Sequence, residues 1–155
     1  MKKSHSKTHL LFYVLITMLL ALIVWTIWGN TALMVNSITV SGNQIPSEFS
    51  GFRIAQISDL HNAEFGEGNS HLLNSLSESK PDMIAITGDL VDAQHTNIDV
   101  ALSFAEKAVQ IAPVYYVTGN HEASLSQYSE LKTGLEAAGV IVLEDKAIQL
   151  EHNGG

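Results

Sequence analysis

Cysteine is absent from the 155 residues. That excludes disulfides and thiolate-ligated metals, so any metal site must use His, Asp, Glu, Asn and water, a donor set suited to harder or borderline ions. Basic residues are scarce, with 8 Lys+Arg against 16 Asp+Glu. Three of the eight, Lys2, Lys3 and Lys7, stand in the first ten positions, so five basic residues face every acid in the remainder. That balance argues against a nucleic-acid backbone as the partner. No G-x-G-x-x-G or P-loop follows any candidate strand, which argues against a plain nucleotide-binding domain. Low-complexity tracts and solenoid-type repeats are also missing.

The charge-free run "LLFYVLITMLLALIVWTIW" (10–28) covers 19 residues. As a helix it spans about 28 Å, close to the hydrocarbon thickness of a bilayer. Lysines precede it, so residues 1–9 are expected to be a cytoplasmic tail and the rest to lie on the extracytoplasmic side of a cell membrane. Trp25 and Trp28 suit the far interface. The run is longer than the core of a cleaved signal, and no A-x-A site follows, so an uncleaved single-pass anchor over 10–28 is expected.

Beyond it, residues 29–51 read as a connector holding a first strand, "NSITVSG" (36–42), and a turn-rich stretch. A rhythm then sets in. Strands are expected at 52–58, 82–88, 113–119, 140–144 and 147–151, with helices at 66–79, 97–110 and 124–139. Alternating strands and helices imply βαβ units and a largely parallel α/β sheet over 52–155.

Each of the first three units ends its strand on polar residues. These are Ser58-Asp59-Leu60-His61, Gly88-Asp89-Leu90-Val91-Asp92 and Gly119-Asn120-His121-Glu122. Asp59 and Asp89 stand 30 positions apart, and Asp89 and Asn120 stand 31 apart, about one βαβ unit each. The C-terminal ends of parallel strands share one edge, the edge where α/β proteins bind ligands. Asp59, His61, Asp89, Asn120 and His121 should therefore converge.

Two close divalent cations want such a group. Asp59 and His61 can grip one ion, Asp89 can bridge, and Asn120 can offer a carbonyl oxygen to the second. Such a pair clamps a phosphoryl group and activates water for in-line attack. His121 then protonates the leaving oxygen or steadies transition-state charge. Asp92 reads equally as a partner behind these residues or as a loop solvator. Glu122 reads as structural, favouring a helix N-terminus. His71 and His95 lie off the motifs.

"ISDLH", "GDLVD" and "GNHE" resemble the first three motifs of the calcineurin-like metallophosphoesterase superfamily. "GFRIAQISDLHN" behind a membrane segment is similar to its membrane-associated YkuE/YaeI-like branch. The resemblance covers residues 36–151. It implies the N-terminal half of a β-sandwich flanked by helices and preceded by one transmembrane helix. It implies two metal ions (manganese, iron or zinc), with Asp59 and His61 on the first, Asp89 bridging, Asn120 on the second and His121 catalytic. The implied substrates are phosphomonoesters or phosphodiesters, some of them lipid-linked pyrophosphates. The family's later His motifs have no counterpart before "EHNGG", so a truncated chain is expected, with one sheet face exposed. The competing expectation is a non-catalytic anchored remnant with a weak cation- or protein-binding surface.

Overall fold

A computed structural model describes residues 4–154. They divide into two units, Met1–Met34 and Val35–Gly155. The first unit is helix α1 (Ser4–Thr31). Its stretch Thr8–Gly29 is long and apolar enough to cross a membrane, and none of it is buried against protein. Leu, Ile, Val and aromatic side chains point outward all around the helix, as suits surroundings that are themselves apolar. Thr17 and Thr26 return their hydroxyls to the carbonyls of Tyr13 and Leu22, so these polar groups need no water.

The second unit is an α/β layer pair. Its elements are β1 (Ile54–Ile57), α2 (Ser70–Ser79), β2 (Met83–Thr87), α3 (Ile98–Ala108), β3 (Val114–Val117), α4 (Asn120–Ala123), α5 (Tyr128–Ala137) and β4 (Ile141–Val142). The strands form one parallel sheet in the order β1-β2-β3-β4, with Ile57 beside Ile86 and Ile86 beside Tyr116. Parallel neighbours need a crossover, and the helices supply it.

In-register residues of a parallel sheet share a face. Ile84, Ile86, Val114 and Tyr116 lie on one face and are fully buried. Leu72 and Leu76 of α2, Ala101, Phe104, Ala105 and Ala108 of α3, and Leu131 and Leu135 of α5 are buried with them. Helix α3 packs on both α2 and α5, so the helices make one layer. The opposite face carries Ile54, Gln56, Thr87, Val117 and Ile141, all exposed, as the sequence leads one to expect.

Two expected strands do not form among the described residues. Residues 36–42, the first strand of the connector, make no ladder, and Ile38 and Val40 are 86% and 76% exposed. Alternation marks a segment that can pair, but an extended segment with no neighbouring edge gains neither ladder bonds nor burial. Residues 147–151 are likewise unpaired, and β4 is shorter than its apolar run. The helix expected at 124–139 is α5 (Tyr128–Ala137), and a separate one-turn helix, α4 (Asn120–Ala123), precedes it.

A polar latch holds α5 to the end of the sheet. Glu144 accepts from Lys132 at 2.5 Å and from the Tyr128 hydroxyl at 2.5 Å, and Tyr128 also meets the Thr118 hydroxyl at 2.8 Å. The Lys132 ammonium and then the Tyr128 hydroxyl hold the Glu144 carboxyl below its ordinary value of 4.5. A carboxyl depressed by folding stabilises above its unfolded pKa and loses that contribution as pH falls through the folded value. The stability of wild type is therefore expected to drop more than that of Glu144→Gln as pH falls below 4.5. Urea unfolding followed by far-UV circular dichroism from pH 7 to pH 3 measures the difference, and parallel curves would refute the latch.

Candidate metal centre

The site begins where β1, β2 and β3 end. Ladder-like hydrogen bonds continue past the strands and register the first two loops: Asp59 N–H donates to Gly88 O at 3.1 Å, His61 N–H to Asp89 O at 2.9 Å, and Asn62 N–H to Leu90 O at 3.1 Å. To keep that register while turning their side chains, Asp59, His61, Asn62 and Asp89 adopt φ of 56°, 47°, 60° and 51°. Left-handed backbone is costly for residues with a Cβ, and its clustering at one spot marks a functional site.

Space at the junction of the second and third loops requires glycine. A Cβ on Gly88 would lie 2.7 Å from the Cα of Gly119, and one on Gly119 would lie 2.2 Å from Asp89 Oδ1. The two backbones therefore close to a distance that no side chain permits.

Glu122 locks this junction. Its carboxylate is fully buried. It accepts from the N–H groups of Asp89 at 3.0 Å, Val91 at 2.9 Å and Gly119 at 3.0 Å. Only the Gly119 contact is a helix-start interaction of the kind the sequence suggests. The other two reach back across the sheet to the preceding loop. Asp89, 9% exposed, in turn accepts from the His121 N–H through Oδ1 at 2.8 Å.

Around this frame the functional side chains gather. Asp59, His61 and Asp89 form one set whose donor atoms lie within 4.8 Å of one another. His61, Asp92 and His121 form a second such set. His61 belongs to both: its Nε2 stands 3.9 Å from Asp59 Oδ1 and its Nδ1 stands 3.9 Å from Asp92 Oδ2. The His61 and His121 rings meet edge to face with centroids 4.4 Å apart. Asn120 opens α4 and is exposed.

The donors fit a cation. The carboxylates and imidazoles are close enough to share an ion, they include no thiol, and His61 Nδ1 is buried without a hydrogen-bond partner. Asp59, His61 and Asp89 could hold one ion, and Asp89 and Asn120 could contribute to a second.

Asp92 anchors the loop that follows β2. Its Oδ1 accepts from Gln94 N–H at 2.8 Å and His95 N–H at 2.7 Å. The His95 N–H and then the Gln94 N–H hold its carboxyl below the ordinary carboxylate value, so it remains an acceptor. Asn62 closes the same loop by donating to His95 O at 2.8 Å. A separate cavity of about 180 Å³, lined by Glu64, Asn69, Asp99 and Ser103 among others, contains none of these site residues.

Sequence patterns point to Asp59, His61, Asp89 and His121 individually, but not to the clamp role of Glu122 or to the loop anchored by Asp92. Glu122 is visible only as a possible helix-start residue, because its two longest-range partners are backbone groups 31 and 33 positions away.

Glu122→Gln keeps the side-chain volume but offers one acceptor oxygen where two serve three donors. Stability is expected to fall by about 1–3 kcal/mol, since a buried N–H is left facing an amide. Urea titration of the two proteins measures it, and an unchanged midpoint would show that the clamp contributes nothing.

The comparisons with known proteins agree with this geometry. The profile of the calcineurin-like phosphoesterase family matches residues 52–154. The chain is 38% identical over 60 residues, 37% of its length, to the uncharacterized metallophosphoesterase YkuE of Bacillus subtilis. It is 29% identical over 107 residues, 66% of its length, to the uncharacterized metallophosphoesterase YkoQ of the same organism. It is 31% identical over 104 residues, 61% of its length, to a transmembrane protein with metallophosphoesterase domain of Danio rerio. These matches span 21%, 39% and 23% of the respective relatives, so the chain covers well under half the length of each. No solved structure matches it significantly. With its profile match running from the start of β1 through the whole sheet, the chain belongs to the calcineurin-like phosphoesterase family.

Proposed function

We propose that this chain is a membrane-anchored phosphoesterase that hydrolyses phosphomonoesters or phosphodiesters, lipid-linked pyrophosphates among them, with two divalent ions of the manganese, iron or zinc class. The observation that carries the reading is the gathering of Asp59, His61, Asp89 and His121 at three strand ends around the Glu122 clamp. Residues 1–9 are a cytoplasmic tail, 10–28 the anchor, 29–51 a connector and 52–155 the phosphoesterase region, held on the extracytoplasmic side. The lysines before the apolar run support that orientation. The lipid-linked substrate is favoured by the anchor, which keeps the site near lipid headgroups.

Asp59 and His61 are assigned to the first ion, Asp89 to both and Asn120 to the second. When bound, the ions neutralise phosphoryl charge and make water a competent nucleophile near neutral pH. The protein's own groups do the rest. Gly88 and Gly119 bring the two loops together, and Glu122 fixes Asp89 against the His121 N–H. The Ala93 N–H donates to His121 Nδ1 at 3.2 Å, so the neutral ring carries its proton on Nε2. Through that N–H His121 donates a hydrogen bond to the leaving oxygen and steadies the charge that develops there.

With the full chain in detergent micelles, manganese-dependent hydrolysis of p-nitrophenyl phosphate or its bis-ester is expected. Asp89→Ala and His121→Ala should each lower it roughly 100-fold or more. A diacylglycerol-linked pyrophosphate in mixed micelles tests the finer substrate assignment. Manganese-dependent turnover that survives both substitutions would refute the site.

Topology is tested separately, in a bacterial host. Protease added outside spheroplasts should digest the region after residue 30 and spare an N-terminal tag. Full protection of that region would overturn the orientation.

A further inference from the structure

The three loops that carry the site, 58–69, 88–97 and 118–127, hold Asp59, Asp89, Asp92 and Glu122 but no lysine or arginine. The ions assigned to the site account for the charge of one phosphoryl group. A second phosphoryl group on the same substrate needs donors of the chain's own. Besides His61 and His121, these loops offer one further imidazole, His95.

His95 is held more tightly than its exposure requires. Its side chain is 89% exposed. Its backbone is fixed at both ends: the N–H donates to Asp92 Oδ1 at 2.7 Å, and the carbonyl accepts from Asn62 Nδ2 at 2.8 Å. Asn62 directly follows His61, and its own N–H is bound to Leu90 O at 3.1 Å. In making this tether Asn62 leaves its Oδ1 buried without a partner, a cost to the fold. Thr96 closes the loop further by donating to Asp92 O at 3.1 Å. So much pinning buries nothing of His95. What it fixes is the place of the ring.

That place is the rim of the metal centre. His95 Nδ1 lies 3.6 Å from Asp92 Oδ1, and the other oxygen of the same carboxylate lies 3.9 Å from Nδ1 of His61 and 3.9 Å from Nδ1 of His121. His95 therefore stands one carboxylate away from both site rings. It belongs to neither set of donors that could share an ion.

We propose that His95 is a specificity residue that donates a hydrogen bond to a second phosphoryl group beside the scissile one, so that the site favours pyrophosphate-linked substrates over simple monoesters. The inference rests on the phosphoesterase reading of the site. An imidazole carries at least one N–H whether neutral or protonated, so it can serve an oxyanion in either state.

The test is binding rather than turnover. The full chain in detergent, at fixed free manganese, is titrated by calorimetry with methylphosphonate, which has one phosphoryl group, and with methylenediphosphonate, which has two and resists hydrolysis. The ratio of diphosphonate to monophosphonate affinity is expected to fall about 10-fold in His95→Ala, the effect of one hydrogen bond to a charged group. His95→Gln, which keeps an N–H donor, should restore part of it. Asn62→Ala, which frees the His95 carbonyl, should lower the ratio in the same direction. Phosphatidic acid and diacylglycerol pyrophosphate in mixed micelles repeat the comparison on lipid carriers. A fall in both pairs assigns the contact to any diphosphate, and a fall in the micellar pair alone assigns it to a lipid headgroup. A ratio that stays at the wild-type value in both pairs, through no loss or through parallel loss, would overturn the role of His95. Wild type that binds neither phosphonate in a manganese-dependent way would overturn the phosphoesterase reading itself.

Discussion

The site depends on one buried carboxylate. Glu122 lies inside the fold and receives three backbone N–H groups, two from the loop after β2 and one from the loop after β3. A buried carboxyl group is tolerable only when its lone pairs are filled, and here backbone donors fill them. The arrangement works in both directions. The N–H groups satisfy the carboxyl group, and the carboxyl group holds two loops that would otherwise splay apart. Asp89 is carried on one of those loops and His121 on the other, so their mutual placement follows from Glu122.

A second constraint comes from backbone strain. Asp59, His61, Asn62 and Asp89 all occupy the left-handed region, and Gly88 and Gly119 approach too closely for any side chain. The hydrophobic face of the sheet, with Ile84, Ile86, Val114 and Tyr116 buried against α3 and its neighbours, supplies the stability that offsets this strain. Rigid strands deliver polar groups to their ends, and the loops bend them inward. The result is a tight cluster on a small layered domain.

The open sheet face and the apolar helix mark the other side of the chain's physics. Ile54, Val117 and Ile141 remain exposed on the face opposite the helices, and α1 carries large apolar side chains around its whole circumference. In the first case the sheet has one covered face and one free face. In the second, the helix is long and apolar enough to cross a membrane, and its intrahelical hydrogen bonds satisfy the backbone as such a crossing requires.

Much of this was legible before any coordinates. The apolar run announces a helix long enough to cross a membrane because length and absence of charge are properties of sequence alone. The βα rhythm announces a parallel sheet, and the matched spacing of Asp59, Asp89 and Asn120 announces a shared edge, because parallel strands repeat at a regular period. Segments 36–42 and 147–151 misled, since strand propensity says that a segment can pair and not that a partner edge is near. Tertiary structure alone decided that Glu122 is a clamp, that Gly88 and Gly119 touch, and that Asp92 lies between two imidazoles. Those facts depend on hydrogen bonds between groups about 30 residues apart, and on which nitrogen a backbone N–H happens to reach. Residue type and spacing carry the chemistry of a site. The protonation geometry within it is set by the three-dimensional positions of backbone donors, which no side-chain pattern records.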